Sequence, residues 1–443
     1  MSVTGSFKTM EKGFGLVQAL AEADRCLLCH DAPCSKGCPA ETDPGTFIRK
    51  LRLRNVKGAI RTIKTNNVLG GACGVLCPTS RLCEKECSAT GIVRPIAIGK
   101  IQRFLVEHAW QIGFEPLSRG PARKEKVAVV GSGPAGLSCA AELAKDGFPV
   151  TVFEERSEPG GVVRWGVPAY RFDKAFLSNE MAVFEKLGVK FVCNTRVDGA
   201  AGAKRLLADG FSAVFLGPGL WAAERLPGAE KVKGVRTSVE FLAALRGRSL
   251  DALAKEFAGK TVAVIGGGSV AMDCVESALK LGAKDAYLVY RRSFAQMPAE
   301  TDERLAALQL GVHFLVLNQP VKYLADGKGK LRGLKLVRTR LGKPDASGRR
   351  KPEPVKGSEW VLECTAVVEA IGNRADTADW SGMVKTDDAG LVIANGKTGK
   401  TSARKVFAGG DIVRGPALVV EAVQDGKLAA RAIGAALAQE VKA

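Results

Sequence analysis

Cysteines carry the most specific chemistry in this sequence. The chain has 443 residues and 12 cysteines, and eight of the cysteines fall in the first quarter of the chain. A first group follows the pattern C-x2-C-x4-C-x3-C-P and consists of Cys26, Cys29, Cys34 and Cys38. A second group follows C-P-x4-C-x3-C, has Cys73 just ahead of it, and consists of Cys77, Cys83 and Cys87. Closely spaced thiolates indicate iron–sulfur clusters, although C-x2-C is also a zinc spacing and zinc is the main rival metal.

The proline after Cys38 gives a further indication. In two-cluster ferredoxin sequences the cysteine before proline ligates the other cluster, so we expect Cys38 to do the same. Two clusters would give a path for single electrons, which zinc would not. The other four cysteines are scattered in apolar segments and are interpreted as small core residues, namely Cys139, Cys193, Cys274 and Cys364.

A first glycine loop follows the apolar run KVAVV. Gly131, Gly133 and Gly136 form G-x-G-x-x-G between a predicted strand and a predicted helix, which is typical of a dinucleotide-binding turn. Glu154 ends the next predicted strand, where a carboxylate accepts hydrogen bonds from a ribose. The sequence therefore predicts a dinucleotide site here.

A strand, Gly-Gly-Asp and a helix near the C-terminus resemble a segment of FAD-binding reductases with two dinucleotide domains. This resemblance implies FAD at the first site, with Asp411 at the ribityl or phosphate region and the helix after Gly415 directed at the flavin ring. The predicted FAD-binding residues are Gly131, Gly133, Pro134, Ala135, Gly136, Glu154, Gly161, Val162, Arg171, Val197, Gly410, Asp411, Ala417, Leu418 and Val419.

A second glycine loop, G-x-G-x-x-A, follows TVAVI. The next predicted strand ends in Arg291 and Arg292 instead of an acidic residue, which favours the 2′-phosphate of NADPH over NADH. In the alternative, one arginine stacks on adenine and the other is solvated, and NADH would be accepted. The predicted NAD(P)-binding residues are Gly266, Gly267, Gly268, Ser269, Val270, Arg291, Arg292, Ala370, Ile371 and Gly372.

The elements that must position these groups follow from the apolar pattern. Strand-like runs alternate with helical patterns after residue 115, which predicts parallel sheets. We expect an α/β protein with a helical two-[4Fe–4S] domain and two Rossmann-like domains, the FAD domain being interrupted by the NAD(P) domain. The expected boundaries are 1–115 for the iron–sulfur domain, 122–225 and 374–443 for the FAD domain, and 226–373 for the NAD(P)H domain.

Charge and hydropathy limit the partners. The formal net charge is +19, but the basic residues are spread along the chain, so we expect bound anionic cofactors or an acidic partner and no nucleic acid. No apolar run of membrane-spanning length and no secretory signal are present, so we expect a cytoplasmic protein without a membrane partner. A dithiol–disulfide reductase is disfavoured because no two cysteines after residue 87 lie close in sequence.

The stretch from Asp24 to Cys87, together with IAIGKIQRF and both glycine loops, resembles the flavin and iron–sulfur subunit of bacterial dihydropyrimidine dehydrogenases. The resemblance implies one [4Fe–4S] cluster on Cys26, Cys29, Cys34 and Cys87. It implies a second on Cys38, Cys77, Cys83 and Gln102, and leaves Cys73 as a packing residue. Pro298 stands where the eukaryotic enzyme has a further basic residue near the nucleotide phosphate, which weakens the NADPH inference.

The resemblance also implies a partner and a reaction. Hydride would pass from NAD(P)H to FAD, and single electrons would pass through both clusters to an FMN/iron–sulfur β/α-barrel subunit. That subunit would reduce uracil or thymine to the 5,6-dihydropyrimidines, reversibly, in an expected heterotetramer. The small subunit of NADPH-dependent glutamate synthase is the alternative, and we take the PTSRL spacer between Cys77 and Cys83 to favour the pyrimidine family.

Overall fold

The computed structural model describes residue 7 and residues 10–247, 250–345, 348–375 and 380–440. The chain forms two compact units. The first comprises residues 1–9, 165–170 and 221–373, and the second comprises residues 10–164, 171–220 and 374–443. The domain boundaries expected from the sequence remain predictions. Within the described residues, no helix is both long and apolar enough to cross a membrane.

The larger unit begins with a segment of helices, residues 10–115, called the helical segment below. Its helices are α1 (Leu16–Asp24), α2 (Pro33–Lys36), α3 (Pro44–Arg52), α4 (Val56–Asn66), α5 (Gly70–Leu76) and α6 (Ile98–Gln111). Short 3-10 turns at Thr79–Arg81 and Ser88–Gly91 join α5 to α6. Arg54 has φ of 62°, and the Asn55 side chain accepts a hydrogen bond from Gly58 N, so the chain turns between α3 and α4.

A parallel sheet follows in the same unit, with strand order β16-β4-β1-β2-β3. Its elements, called the flavin segment below, are β1 (Val127–Val130), α7 (Pro134–Lys145), β2 (Val150–Phe153), α8 (Gly161–Trp165), α9 (Lys174–Lys186), β3 (Lys190–Val192), α10 (Gly199–Ala208), β4 (Ala213–Leu216), β16 (Val406–Ala408), α15 (Asp411–Arg414) and α16 (Val419–Glu440). Strand β1 is buried on both faces, as expected for a central parallel strand. Its pairing with β2 in register Val127↔Val150 brings the loop after β1 beside the end of β2.

The smaller unit holds a second parallel sheet, in the order β6-β14-β7-β8-β9, and an antiparallel sheet built around β11. Its elements are β5 (Ala222–Ala223), β6 (Val235–Thr237), α11 (Ser238–Gly247), α12 (Leu250–Phe257), β7 (Thr261–Ile265), α13 (Ser269–Lys280), β8 (Asp285–Tyr290), α14 (Thr301–Gln309), β9 (His313–Val316), β10 (Asn318–Ala325), β11 (Leu331–Pro344), β12 (Arg350–Pro354), β13 (Trp360–Glu363) and β14 (Ala366–Glu369). The short β15 (Asn373–Arg374) lies where the chain leaves this unit, and 3-10 turns occur at Ala229–Lys231 and Phe294–Gln296. The predicted fold class, a helical segment with two Rossmann-like sheets of which the first is interrupted by the second, is confirmed.

Candidate cofactor sites

The first glycine loop joins β1 to α7 with very little space. Gly131 has φ of 90°, and a Cβ added there would lie 2.5 Å from the Gly217 carbonyl oxygen. A Cβ on Gly136 would lie 2.0 Å from the Gly131 carbonyl oxygen, so helix and loop pack without a side chain between them. Gly133 is the N-cap of α7, and Pro134 and Ala135 open the helix. The loop therefore presents the start of α7 with its backbone accessible to an anion.

Glu154 is fixed beside this loop. It follows β2, is buried, and its Oε2 accepts hydrogen bonds from the backbone and hydroxyl of Ser132, the backbone bond being 3.0 Å long. Its Oε1 accepts from Arg156 N at 2.9 Å. The carboxylate thus lies where the sequence places a ribose ligand, and it is held there by residues that were not predicted from the sequence.

Two distant segments reach the same loop. A Cβ on Gly161 would lie 2.5 Å from Gly133 Cα, and one on Gly410 would lie 2.9 Å from Ala135 Cβ. Asp411 follows directly, accepts a hydrogen bond from Ala417 N, and has its pKa raised to about 6 by burial. The segments at Gly161 and at Gly410–Asp411 therefore converge on the first glycine loop.

The other predicted flavin residues are spread more widely. Val162 is exposed on α8, and Leu418 and Val419 lie at the start of α16, where Leu418 N donates to Glu421 Oε2 at 2.9 Å. Arg171 is half-buried after α8. Val197 packs against Gly202, since a Cβ there would lie 2.7 Å from the Val197 Cγ1. The roles of Arg171 and Val197 toward a flavin remain predictions.

The second glycine loop has the same construction in the smaller unit. Gly266 has φ of 148°, and a Cβ there would lie 2.2 Å from the Ala370 carbonyl oxygen. Gly268 is the N-cap of α13, so Ser269 and Val270 form its first turn. Gly267 packs against the Tyr290 ring, and a Cβ added there would lie 2.5 Å from a ring carbon. Ala370, Ile371 and Gly372, the other residues predicted for this site, directly follow β14. Because Ala370 contacts Gly266, the end of β14 lies against this loop.

The two arginines after β8 are in different situations. Arg292 is buried, and its Nε donates to the Arg350 carbonyl at 3.0 Å while its Nη2 donates to Asp345 Oδ2 at 2.6 Å. Arg291 is exposed, and its carbonyl accepts from Thr339 Oγ1 at 2.8 Å. Pro298 Cγ lies 3.8 Å from a Cβ position on Gly268, at the start of α13. The guanidinium of Arg292 is thus engaged by the β11–β12 hairpin, whereas Arg291 presents an exposed cation at this end of the sheet.

The first thiol group lines a small cavity in the helical segment. Its lining includes Cys26, Cys29, Cys34 and Cys87, the four cysteines expected for the first cluster. Burial, with the neighbouring Cys87, raises the pKa of Cys34 to about 11. Ser88 Oγ lies 3.4 Å from Cys29 Sγ, and Ile96 N donates to Cys87 Sγ at 3.4 Å.

The second thiol group lies between α2, α5 and the turn after Cys77. Cys38, Cys77 and Cys83 are near one another, and a hydrogen bond with Cys73 and burial raise the pKa of Cys77. Asn67 Nδ2 donates to Cys73 Sγ at 3.4 Å, and Cys73 is hydrogen-bonded with Cys77, so it lies next to this group. Its interpretation as a packing residue remains a prediction. Gln102 is buried, and its Nε2 donates to the Gly70 carbonyl at 2.6 Å. Its role as a cluster ligand remains a prediction.

The first thiol group suits a centre that takes one ligand from each of four cysteines, because all four line one cavity. Thiolates are the ligands of iron–sulfur clusters, and a zinc ion would use the same residue type.

Two charged residues that were not predicted from the sequence reach the helical segment from the flavin segment. Glu180 on α9 accepts hydrogen bonds from Gly71 N and Ala72 N, and burial raises its pKa to about 7. Lys427 on α16 donates to the Ala40 carbonyl, and burial lowers its pKa. Neither lies in a recognisable motif, so no local signal identifies them.

Family models match both parts of the chain. Residues 3–114 match the dihydropyrimidine dehydrogenase domain II, 4Fe-4S cluster family. Residues 125–426 match the pyridine nucleotide-disulphide oxidoreductase family. The fold and sites thus define an NAD(P)H-dependent oxidoreductase that uses FAD and 4Fe–4S chemistry.

Curated relatives narrow the class to one family. The chain is 36% identical over 441 residues to the small chain of NADPH glutamate synthase from Escherichia coli, covering 96% of this chain and 93% of the relative. It is 35% identical over 421 residues to the NAD-dependent dihydropyrimidine dehydrogenase subunit PreT from Salmonella typhimurium, covering 95% of each. The chain belongs to the family of FAD/4Fe–4S oxidoreductases that includes glutamate synthase small chains and PreT. The two relatives are equally close, so identity does not decide between them.

The fold has a solved counterpart. FprA from Mycobacterium tuberculosis, in complex with NADPH, aligns with a TM-score of 0.60 at 21% identity, covering 72% of this chain and 86% of FprA. This likeness supports the architecture of the two nucleotide-binding sheets.

Proposed function

We propose that the chain is the NAD(P)H-oxidising subunit of a dihydropyrimidine dehydrogenase. Its partner would be an FMN/iron–sulfur β/α-barrel subunit that reduces uracil or thymine, in a heterotetramer. Two nucleotide loops and two thiol groups on one chain support an NAD(P)H-oxidising electron-transfer subunit, and the likeness to PreT covers 95% of this chain. The observation that we take to favour the pyrimidine family over glutamate synthase is the PTSRL spacer between Cys77 and Cys83.

In this proposal each nucleotide site holds one cofactor. The backbone of the first glycine loop, Glu154 and the segment at Asp411 would hold FAD, and the loop at Gly266 with Arg291 would hold NAD(P)H. When bound, FAD supplies the chemistry that takes up a hydride from the nicotinamide and releases the electrons one at a time. The protein binds and orients the nucleotides through the starts of α7 and α13, where unpaired N–H groups favour phosphate.

The thiol groups would hold two [4Fe–4S] clusters. The ligands we propose are Cys26, Cys29, Cys34 and Cys87 for the first cluster, and Cys38, Cys77, Cys83 and Gln102 for the second. Cys73 is the alternative fourth ligand of the second cluster, since it contacts Cys77. The four cysteines after residue 87 are free thiols: Cys139 is buried in α7, Cys274 in α13 and Cys364 between β13 and β14, and Cys193 is half-buried after β3.

A second candidate is the small chain of glutamate synthase. The likeness to that protein is 36% identity over 96% of this chain, against 35% over 95% for PreT. The same nucleotide sites and clusters would serve there, and only the partner that receives the electrons would differ.

Reconstitution tests the proposal. The chain alone should oxidise NAD(P)H with ferricyanide and should not reduce uracil or thymine. Addition of a barrel subunit should start uracil reduction. The second candidate would be favoured if the chain forms glutamate with a glutamate synthase large chain and does not reduce uracil or thymine with the barrel subunit. Uracil reduction by the isolated chain would show that the substrate site has been misplaced.

A further inference from the structure

A buried lysine of the flavin segment reaches the loop that carries Cys38. Lys427 lies on α16, the long helix after the GGD segment, and is only 3% exposed. Its Nζ donates to the Ala40 carbonyl at 2.6 Å, two residues beyond Cys38, and lies 3.7 Å from Glu41 Oε2. The Glu41 side chain is 58% exposed, so solvent screens its charge more than that of Lys427.

A buried glutamate of the flavin segment reaches the helix that ends at Cys77. Glu180 on α9 is also 3% exposed. Its Oε1 accepts from Gly71 N at 2.6 Å and its Oε2 accepts from Ala72 N at 3.0 Å. A Cβ at Gly71 would lie 2.7 Å from Glu180 Oε1, so a side chain there would push the carboxylate away from this contact. Lys64 is the nearby opposite charge, and it is itself paired with Glu115.

The two contacts place charges of opposite sign on the segments that carry the cysteines of the second thiol group, Lys427 at the loop after Cys38 and Glu180 at the start of the helix that ends at Cys77. Both side chains are shielded from water, where a charge acts over longer distances than at the surface. Reduction of an iron–sulfur cluster adds one electron and therefore one negative charge. A fixed positive charge nearby favours the reduced form and a fixed negative charge disfavours it.

We propose that Lys427 and Glu180 are positioning residues that set the potential of the second cluster in opposite directions while they join its cysteine-bearing segments to the flavin segment. This inference rests on the proposed function, because it requires the cluster on Cys38, Cys77 and Cys83. The lysine raises the potential and the glutamate lowers it. The balance decides how readily an electron from the reduced flavin enters this cluster.

Redox titration followed by EPR on the full chain, with FAD and both clusters bound, tests the inference. Measurements at about pH 8 leave Glu180 mostly charged, since burial raises its pKa to about 7, and they lie further below the ordinary lysine pKa, which burial lowers for Lys427. Lys427→Met should lower the midpoint potential of the second cluster, and Glu180→Gln should raise it. The potential of the first cluster should move less in both variants.

Lys427→Arg separates electrostatics from packing. It keeps the charge and should keep the potential close to that of the unmodified chain. A fall in potential in Lys427→Arg as large as that in Lys427→Met would show that loss of the buried contact, and not loss of the charge, moves the potential, and would overturn the inference.

The outcomes distinguish this inference from the proposed function. Absence of iron and sulfide in the unmodified chain would reject the proposed function. Full iron content with unmoved potentials, or shifts of the same sign in Lys427→Met and Glu180→Gln, would overturn the inference alone. If Lys427→Met loses its iron, the Glu180→Gln titration decides, and an unchanged potential there overturns the inference.

Discussion

Nucleotide preference should depend on Arg291 and not on Arg292. Arg292 is buried and its guanidinium is engaged by Asp345 and the Arg350 carbonyl, whereas Arg291 is exposed at the end of β8. Replacing Arg291 with Ala should therefore remove the cation available to a 2′-phosphate. Replacing Arg292 with Ala should instead loosen the β11–β12 hairpin.

The magnitude follows from one charge-assisted hydrogen bond. Such a bond contributes about 1.5–3 kcal/mol, and each 1.4 kcal/mol corresponds to about tenfold in affinity. Because Arg291 is exposed, screening favours the lower end. Arg291→Ala should reduce kcat/KM for NADPH by about tenfold more than kcat/KM for NADH.

Steady-state ferricyanide reduction with each nucleotide measures the effect. Arg292→Ala is the matched control and should change both nucleotides by a similar factor, with a lower melting temperature. An equal effect of Arg291→Ala on NADPH and NADH would refute the reasoning. A larger NADPH-specific effect in Arg292→Ala would show that the hairpin releases its arginine when the nucleotide binds.

Three further outcomes are expected. Anaerobically purified protein should contain one FAD with about eight iron and about eight sulfide, as two four-iron clusters require; stoichiometric zinc without sulfide would contradict the cluster assignment. Gly266→Ala should abolish NAD(P)H oxidation with FAD retained, because its Cβ would lie 2.2 Å from the Ala370 carbonyl oxygen, whereas Gly327→Ala, whose Cβ would meet no atom within 4 Å, should be tolerated. Because the pKa of Asp411 is raised, the carboxyl group binds a proton more tightly in the flavin-free folded protein than in the unfolded chain. The free energy of unfolding should therefore fall as pH rises from about 4 to about 6. Asp411→Asn should remove that fall, up to about 3 kcal/mol, and unchanged pH dependence of the melting temperature would contradict this.

The glycine loops could be predicted because their information is local. Gly131 and Gly266 directly follow apolar strands, and each needs a backbone conformation and a close approach that only glycine allows. The parallel sheets follow from the same alternation of strands and helices. Neither inference requires knowledge of a distant residue.

The contacts of Arg292 and Lys427 could not be predicted, because their partners are distant in the sequence. The partner of Arg292 is Asp345, 53 residues away, and Lys427 bonds a backbone carbonyl 387 residues away. A lone lysine in a helix resembles a solvated surface residue until the fold shows what covers it. Contacts between residues so far apart produce no recognisable spacing pattern in the sequence.

The fourth ligand of the second cluster is the sharpest remaining test. Gln102 Nε2 donates to the Gly70 carbonyl at 2.6 Å, which orients the amide and leaves Oε1 as the atom that would bind iron. Cys73 lies in the same group, but its sulfur is hydrogen-bonded to Asn67 and to Cys77. We therefore expect Gln102→Ala to lose the second cluster or make it labile, and Cys73→Ala to retain both clusters.

Gln102→Cys should keep this cluster at a lower potential, because a thiolate adds negative charge that the neutral amide lacks. Iron analysis and EPR titration of the three variants decide between the ligands. Full iron content and an unchanged titration in Gln102→Ala, with loss of a cluster in Cys73→Ala, would make Cys73 the ligand. The Gly70 contact would then only pack α5 against α6.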